Sequence, residues 1–419
     1  MSGSVRRIEV FADWAGLGKA GKMGTLSAIP SRGKEVFSFD YEKEWLLRED
    51  GRVLDPELRL FKGPQYPAID KPNFGIFLDS SPDRWGRVLM RRREGIHARK
   101  EGRGVRTLAE SDYLLGVYDE NRMGALRFRE IGSPVFQSSD TAMAAPPWAR
   151  LRDLEYASHI VESDVSDDEL DPWLALLIAP GSSLGGARPK ASVVDSDRSL
   201  WIAKFPGKDD DRDVGVWEML VATLARNAGI VTSECRLESL SSRGSTFLTR
   251  RFDRVDPAKR IHFASAMTML GRKDGDDSSA GASYLEIADF LIRNGASPDE
   301  DLGQLWRRIV FSIAISNTDD HLRNHGFLLG QRGWRLSPAY DLNPSPFGGG
   351  LSLCIDENDN ALDFDLALSV ARYFRLDARE ARSIRESVVA SVSRWRELAE
   401  ELGISRTEQE KMAGAFASP

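Results

Sequence analysis

The sequence predicts a mixed α+β protein of more than one domain, and three observations carry that expectation. The chain has 419 residues, beyond the roughly 250–300 at which a single hydrophobic core stops growing. Its N-terminal part carries short strand-like runs, VRRIEVFAD, GTLSAIP and EVFSFDY, followed by a helix-like stretch from Asp83 to Arg93. After a Ser-, Ala- and Pro-rich break over Gly132 to Pro147, a glycine loop, two strand-like runs and a helical pattern follow in order. The parts are therefore a small α+β domain, a connector and a second unit.

Composition bounds what such a chain can do. With 41% hydrophobic and 29% charged residues, a large core is available and global disorder is excluded. The two cysteines, Cys235 and Cys354, lie far apart with no CxxC or Cys/His ligand spacing around them, which fits a reducing compartment. The opening MSGSVRRIEVFADWAG has charge but no apolar signal core, and no run approaches the ~20 apolar residues of a membrane helix. A cytoplasmic protein with no membrane partner is expected. A net charge of −7 argues against the whole chain binding polyanions. The exception is local: Arg87, Arg91, Arg92, Arg93, Arg99, Lys100, Arg103 and Arg106 crowd one stretch that could meet nucleic acid or an acidic partner, but without interleaved aromatics it reads most simply as a solvated basic helix face. Glu162 to Asp171, Gly207 to Asp213 and Arg272 to Ala282 read as solvated loops, and no internal repeat is found.

The second unit opens with GSSLGGARPKASVVDSDRSLWIAKFP. This is a glycine loop, a strand at Ala191 to Val194, a turn at Asp195 to Arg198 and a strand at Leu200 to Phe205, with Lys204 on the second strand. Glycines let backbone N–H groups approach phosphate oxygens, and a lysine on the adjoining strand adds a point charge. The loop lacks the G-x-x-x-x-G-K-[ST] of a Walker A motif, so alone it is a weak signal. A helix follows, because Trp217, Leu220, Val221, Leu224 and Ala228 recur at helical spacing and Gly229 sits where a C′ glycine would end it. Glu218 on that helix corresponds to the glutamate that pairs with the strand lysine in a kinase lobe.

The most informative stretch is RRIVFSIAISNTDDHLRNHGFLLGQRGWRLSPAYDLNPS. Ile309, Val310, Ile313 and Ala314 form the apolar face of a helix that stops near Asn317, leaving Thr318 to Asn324 as a loop. The step from Asp319 to Asn324 equals that between Asp and Asn in the kinase catalytic loop H-R-D-x-x-x-x-N. The runs GFLL and WRLSP, separated by Gly330 to Gly333, read as a hairpin that returns the chain to Asp341. A catalytic loop, a hairpin and an aspartate would let Asn324 and Asp341 share Mg²⁺ while Asp319 faces an acceptor hydroxyl, so phosphoryl transfer is expected. Two competing motifs are weaker. His321 and His325 stand four apart but have no third ligand or H-E-x-x-H context for zinc. Gly181 to Gly185 matches the hydrolase elbow G-x-S-x-G with Ser183 as nucleophile, yet Gly185, Gly186 and Pro189 oppose the helix that elbow requires.

Together GSSLGGARPKA, WIAKFP, RRFDR, NTDDHLRNHGF and SPAYDLNP, with the earlier MGTLSA and NFGIFLDSSPDRWGR, resemble the HipA family of bacterial serine/threonine kinases, the toxins of HipBA-type modules. The resemblance implies an α+β fold in which a small N-terminal α+β domain (1–130) precedes a two-lobed protein-kinase-like fold, with an N-lobe over 148–252 and a mainly helical C-lobe over 253–419. It implies ATP and Mg²⁺ as cofactors, Asp319 as catalytic aspartate, Asn324 and Asp341 as magnesium ligands, and Lys204 on the nucleotide phosphates. Gly185, Gly186, Ala187, Arg188 and Lys190 would form the loop over ATP, with Arg250 and Phe252 at the adenine hinge and Glu218 and His321 completing the nucleotide contacts. Ser183 matches the family's autophosphorylated serine, and Ser182 is an adjacent candidate. The partners implied are a protein substrate, possibly a translation component such as an aminoacyl-tRNA synthetase, a HipB-like helix-turn-helix antitoxin, and operator DNA reached mainly through that antitoxin. A small-molecule phosphotransferase and a catalytically silent antitoxin- or DNA-binding module are the alternatives.

Overall fold

The computed structural model describes residues 4–48, 51–137, 145–163, 170, 173–174, 177, 186, 188–256 and 259–416. It divides into two compact units, Met1–Asp209 with Asp253–Ala264, and Asp210–Phe252 with Ser265–Pro419. Helices and mainly antiparallel strands are mixed in both, as an α+β fold requires.

The first unit is built on an antiparallel sheet of β1 (Arg6–Ala12), β2 (Gly21–Ser31), β3 (Lys34–Tyr41) and a later strand, in the order β3-β2-β1 and then the strand Leu126–Glu130. Period-two alternation sets the buried face. Ile8, Val10 and Ala12 of β1, Leu26 and Ala28 of β2, and Phe37 and Phe39 of β3 are all buried. Phe77 covers that face, its ring 5.6 Å from Phe39 and 5.9 Å from Phe128. Gly24 is required, because a Cβ there would stand 2.4 Å from both the Phe39 ring and the Asp40 carbonyl.

Helix α1 (Arg84–Lys100) starts at Asp83, whose carboxylate accepts from the Gly86 N–H at 2.8 Å. It ends in His97, Arg99 and Lys100, the sign of charge a helix C-terminus favours. Trp85, Leu89 and Ile96 face the core, so the basic residues fall on the other side. Several of them are answered within the unit: Arg87 by Glu110, Arg103 by Glu94 and Glu101, Arg106 by Glu94 and Asp112. Strand β4 (Leu126–Glu130) then closes the sheet against β1.

Segment Asp253–Ala264 belongs to this unit for a hydrogen-bonding reason. Asp253 accepts from the Gly124 N–H at 2.8 Å, and Arg254 donates to the carbonyls of Glu120 and Arg122, both at 2.9 Å. The unit also carries α2 (Leu151–Glu162) and an antiparallel hairpin of β5 (Lys190–Val194) and β6 (Leu200–Lys204), whose turn places Arg198 at a positive φ of 67°.

In the second unit α3 (Val214–Asn227) lies on the hairpin of β7 (Cys235–Ser241) and β8 (Gly244–Arg250). Asp213 caps α3 through the Val216 N–H and also accepts from the Ser245 N–H and hydroxyl. Gly215 makes this packing possible, because a Cβ there would stand 2.1 Å from the Ser245 carbonyl oxygen. Gly215→Ala is therefore expected to destabilise the protein by about 1–3 kcal/mol despite alanine's better helix propensity. A urea titration showing an unchanged or raised midpoint would contradict this.

Helix α4 (Tyr284–Asn294) begins in a capping box of Ser283 and Glu286. Helix α5 (Pro298–Ala314) has proline in its first turn with Asp299, Glu300 and Asp301, all favourable at the positive end of the dipole. Its buried face of Leu302, Leu305, Trp306, Ile309, Val310 and Ile313 makes it the centre of the unit. The hairpin of β9 (Gly326–Leu329) and β10 (Trp334–Leu336) follows, and then helices that include α6 (Ala378–Val392) run to Phe416. The rings of Trp395 and Phe416 stack at 4.5 Å to close that end.

Candidate functional site

The residues singled out by spacing are delivered by the end of α5. The helix stops at Ala314, Ser316 takes a positive φ of 50°, and the Asn317 N–H turns back to the Ser312 carbonyl. That reversal exposes Asp319 and buries Asp320. The loop is tied internally: the His321 N–H donates to the Asp319 carbonyl, the Asn324 N–H to the His321 carbonyl, and the Asn324 Nδ2 to the Asp319 carbonyl at 2.9 Å. Fixing Nδ2 in this way turns the amide oxygen outward from that contact. Asn324 Oδ1 is buried, and no described residue donates to it. His321 Nδ1 is in the same condition. A buried polar atom without a partner costs about 1–3 kcal/mol, so these two atoms, unanswered among the described residues, mark where a ligand could bond to the loop.

The hairpin then brings the second acidic position back. Phe327 pairs with Leu336, and the Tyr340 hydroxyl donates to the Arg323 carbonyl at 2.7 Å. Asp341, the next residue, has a φ of 57°, a left-handed conformation that aspartate tolerates at some cost. Its carboxylate accepts from Asn343 Nδ2 at 3.3 Å. The chain beyond packs onto the loop again, with the Ser352 hydroxyl donating to the Thr318 carbonyl and Gly348 so close that a Cβ would stand 1.9 Å from Thr318 Cγ2. Phe252 lies with its ring 5.5 Å from that of Tyr340. Arg250 on β8 has a guanidinium nitrogen 3.5 Å from Glu234, and Glu218 is buried on α3.

An amide oxygen and a carboxylate are hard donors. Together they are the small protein complement that Mg²⁺ takes when water and phosphate supply its remaining ligands. The unpartnered Oδ1 of Asn324 fits that use. Among the described residues no cluster of three or more His, Cys, Asp or Glu side chains forms a metal site by itself. His325, the other half of the i, i+4 histidine pair, has Nε2 3.0 Å from Asp320 Oδ1.

Beneath the loop lies a network that spacing did not single out. Asp320 is fully buried and accepts from the Tyr284 hydroxyl at 2.7 Å and the Ser312 hydroxyl at 3.2 Å. Burial works against ionisation, but His325 and the two hydroxyl donors outweigh it and keep the carboxyl below its ordinary range. Tyr284 is pushed well up by its own burial and by Asp320.

The remaining expected residues lie on the first unit. Gly186 has a φ of 86°, and Lys204 stands half-buried at the end of β6, opposite Lys190 in the β5–β6 register. Arg188 is half-buried just before β5. Lys190 is occupied: its ammonium lies 3.1 Å from the Asp83 carboxylate, each side chain 3% exposed, and reaches the Gly186 carbonyl at 3.5 Å. Burial pushes the Asp83 carboxyl up against the opposing pull of Lys190. Gly185, Ala187, Ser182 and Ser183 lie outside the described residues.

The fold and this loop together define a kinase-like α+β protein. A profile of the HipA-like C-terminal domain matches residues 182–396, and the chain belongs to that HipA-like family. A Haemophilus influenzae protein named "Putative kinase" is 25% identical over 40% of this chain and 54% of its own length. A Sinorhizobium fredii protein, "Putative kinase Y4dM", is 28% identical over 46% of this chain and 54% of its own. The chain thus spans about half the length of the curated relatives it matches. A solved structure of the Shewanella oneidensis MR-1 toxin–antitoxin system, HipA, HipB and its operator DNA complex, shares the fold at a TM-score of 0.67 and 17% identity, over 98% of this chain and 96% of that one. No helix among the described residues is long and apolar enough to cross a membrane.

Proposed function

We propose that this chain is an ATP-dependent serine/threonine protein kinase of the HipA toxin type, acting in the cytoplasm. One observation carries the reading. A single loop turns Asp319 out, leaves the Asn324 amide oxygen buried with no donor among the described residues, and is met by a hairpin that returns Asp341.

In the reaction, the oxygen of a Ser or Thr hydroxyl forms a bond to the γ-phosphorus of ATP, the bond from that phosphorus to the β-phosphate oxygen breaks, and ADP leaves. Asp319 accepts or orients the hydroxyl proton. Asn324 and Asp341 would hold Mg²⁺, which when bound supplies positive charge against the phosphate oxygens. Lys204 adds a further positive charge toward those oxygens and Glu218 takes the role of the kinase helix glutamate, while Gly185, Gly186, Ala187, Arg188 and Lys190 form the loop over the nucleotide. Arg250, Phe252 and His321 complete the nucleotide contacts. The transition state of such a transfer is loose, so positioning and charge supply most of the acceleration. Ser183, or Ser182 beside it, is the self-modified hydroxyl that silences the enzyme. The natural partners are a protein substrate, such as a translation component, and a HipB-like antitoxin through which operator DNA is met.

The test is incubation of the purified chain with γ-labelled ATP and Mg²⁺, alone, with bacterial protein, and with a small-metabolite fraction. Label is expected on Ser or Thr of protein, with mass spectrometry placing phosphate on Ser182 or Ser183 in the chain alone. Label confined to metabolites would replace the protein-kinase reading by a small-molecule one. ATP left intact throughout would remove both.

A further inference from the structure

We propose that Asp320, not itself in contact with the reacting atoms, is the positioning residue that sets which way the catalytic loop faces. The inference rests on the kinase reading above and names a residue that reading does not use. Asp319 and Asp320 are chemically identical neighbours, and only one can point outward. The choice is made by what receives the other. Asp320 enters a fully buried site where the Tyr284 hydroxyl from α4 and the Ser312 hydroxyl from α5 donate to Oδ2, and His325 from the loop's far end lies 3.0 Å from Oδ1.

These contacts grip the loop at both ends. Ser312 sits in the last turn of α5, and its carbonyl takes the Asn317 N–H. His325 directly follows Asn324, and its own carbonyl takes the Ala266 N–H at 2.8 Å. A carboxylate joined to both ends fixes the span between them, and so fixes the outward face of Asp319 and the amide of Asn324. An uncharged residue of the same shape would offer Tyr284, Ser312 and His325 one acceptor where the carboxylate offers two. The network is fully enclosed, so its partial loss is felt in the loop rather than absorbed by solvent. The need is positional: a small misplacement of a reacting group slows turnover without weakening nucleotide binding.

The experiment compares wild type with Asp320→Asn, Tyr284→Phe and the double variant in the full chain. It reads kcat and KM for ATP, and in parallel amide hydrogen exchange without nucleotide. The expected result is a loss of about 30-fold or more in kcat for Asp320→Asn with KM for ATP within about twofold. Tyr284→Phe should lose less, and the double variant no more than Asp320→Asn, since residues acting as one unit are not additive. Exchange should quicken at the His321 and Asn324 amides and stay unchanged elsewhere. Unaltered exchange at those amides with kcat retained would overturn the proposal. So would quickened exchange throughout the unit with kcat and KM worsening together, because that is the mark of a purely structural group. Failure of wild type to transfer phosphate would fall on the kinase reading alone, because the exchange pattern judges Asp320 without turnover.

Discussion

Replacing Asp319 by Asn is expected to lower phosphoryl transfer by about 10²–10⁴-fold, the range general-base catalysis supplies, while leaving the fold untouched. The side chain is exposed, and the backbone carbonyl takes the His321 N–H and the Asn324 Nδ2. Asparagine keeps both bonds and the shape of the side chain but cannot take up a proton from a hydroxyl. Exposed substitutions of this kind shift stability by no more than about 0.5 kcal/mol, so the melting temperature should stay within about 2 °C of wild type for a chain of this size. KM for ATP should be nearly unchanged, because the interaction lost is made in the transition state. Initial rates with γ-labelled ATP, alongside a thermal scan, check all three. Turnover like wild type would remove Asp319 from the reaction, and a protein that lost its fold would show that the exposed carboxylate carries structure instead.

The spacing of Asp319 and Asn324, the hairpin after them and the strands on either side of Arg198 could all be read before any coordinates, because each rests on local periodicity or turn chemistry. The α+β class followed from the same signals. What could not be read is what depends on long-range pairing. The step to Asn324 in NTDDHLRN singles out Asp319, but nothing in it says what receives Asp320; that is decided by a reversal at Ser316 and by hydroxyls on two helices. Segment Asp253–Ala264 joins the first unit through bonds from Arg254 to main-chain carbonyls, and carbonyls leave no trace in a sequence. Asp83 could be noticed only as the residue before a helix, whereas its carboxylate also serves Lys190. Lys190, which the resemblance places in the loop over the nucleotide, also has its amine against that carboxylate.

That pair yields the second large effect. Lys190→Met is expected to destabilise the protein by about 3–5 kcal/mol, the usual consequence of removing one partner from a buried ion pair. Both side chains are almost wholly enclosed, and Lys190 also faces Lys204 across the β5–β6 register, so Asp83 answers a local excess of positive charge. Without Lys190 the buried carboxylate keeps the backbone N–H groups of Gly86 and Trp85 but loses the cation that opposed its burial. The double variant Asp83→Asn/Lys190→Met should recover most of the loss, because asparagine still caps α1 and no charge is left buried. The pH dependence has a definite sign. Burial raises the folded carboxyl above its ordinary value of 3.8, and loss of the ammonium raises it further, so the penalty is fully present above the folded value. It fades as pH falls through that value toward 3.8, where the unfolded chain is protonated as well. Urea titrations of wild type, both single variants and the double across that range measure the coupling directly. If Lys190 acted only by touching nucleotide, Lys190→Met would raise KM for ATP and leave the urea midpoint in place, and the double variant would recover nothing.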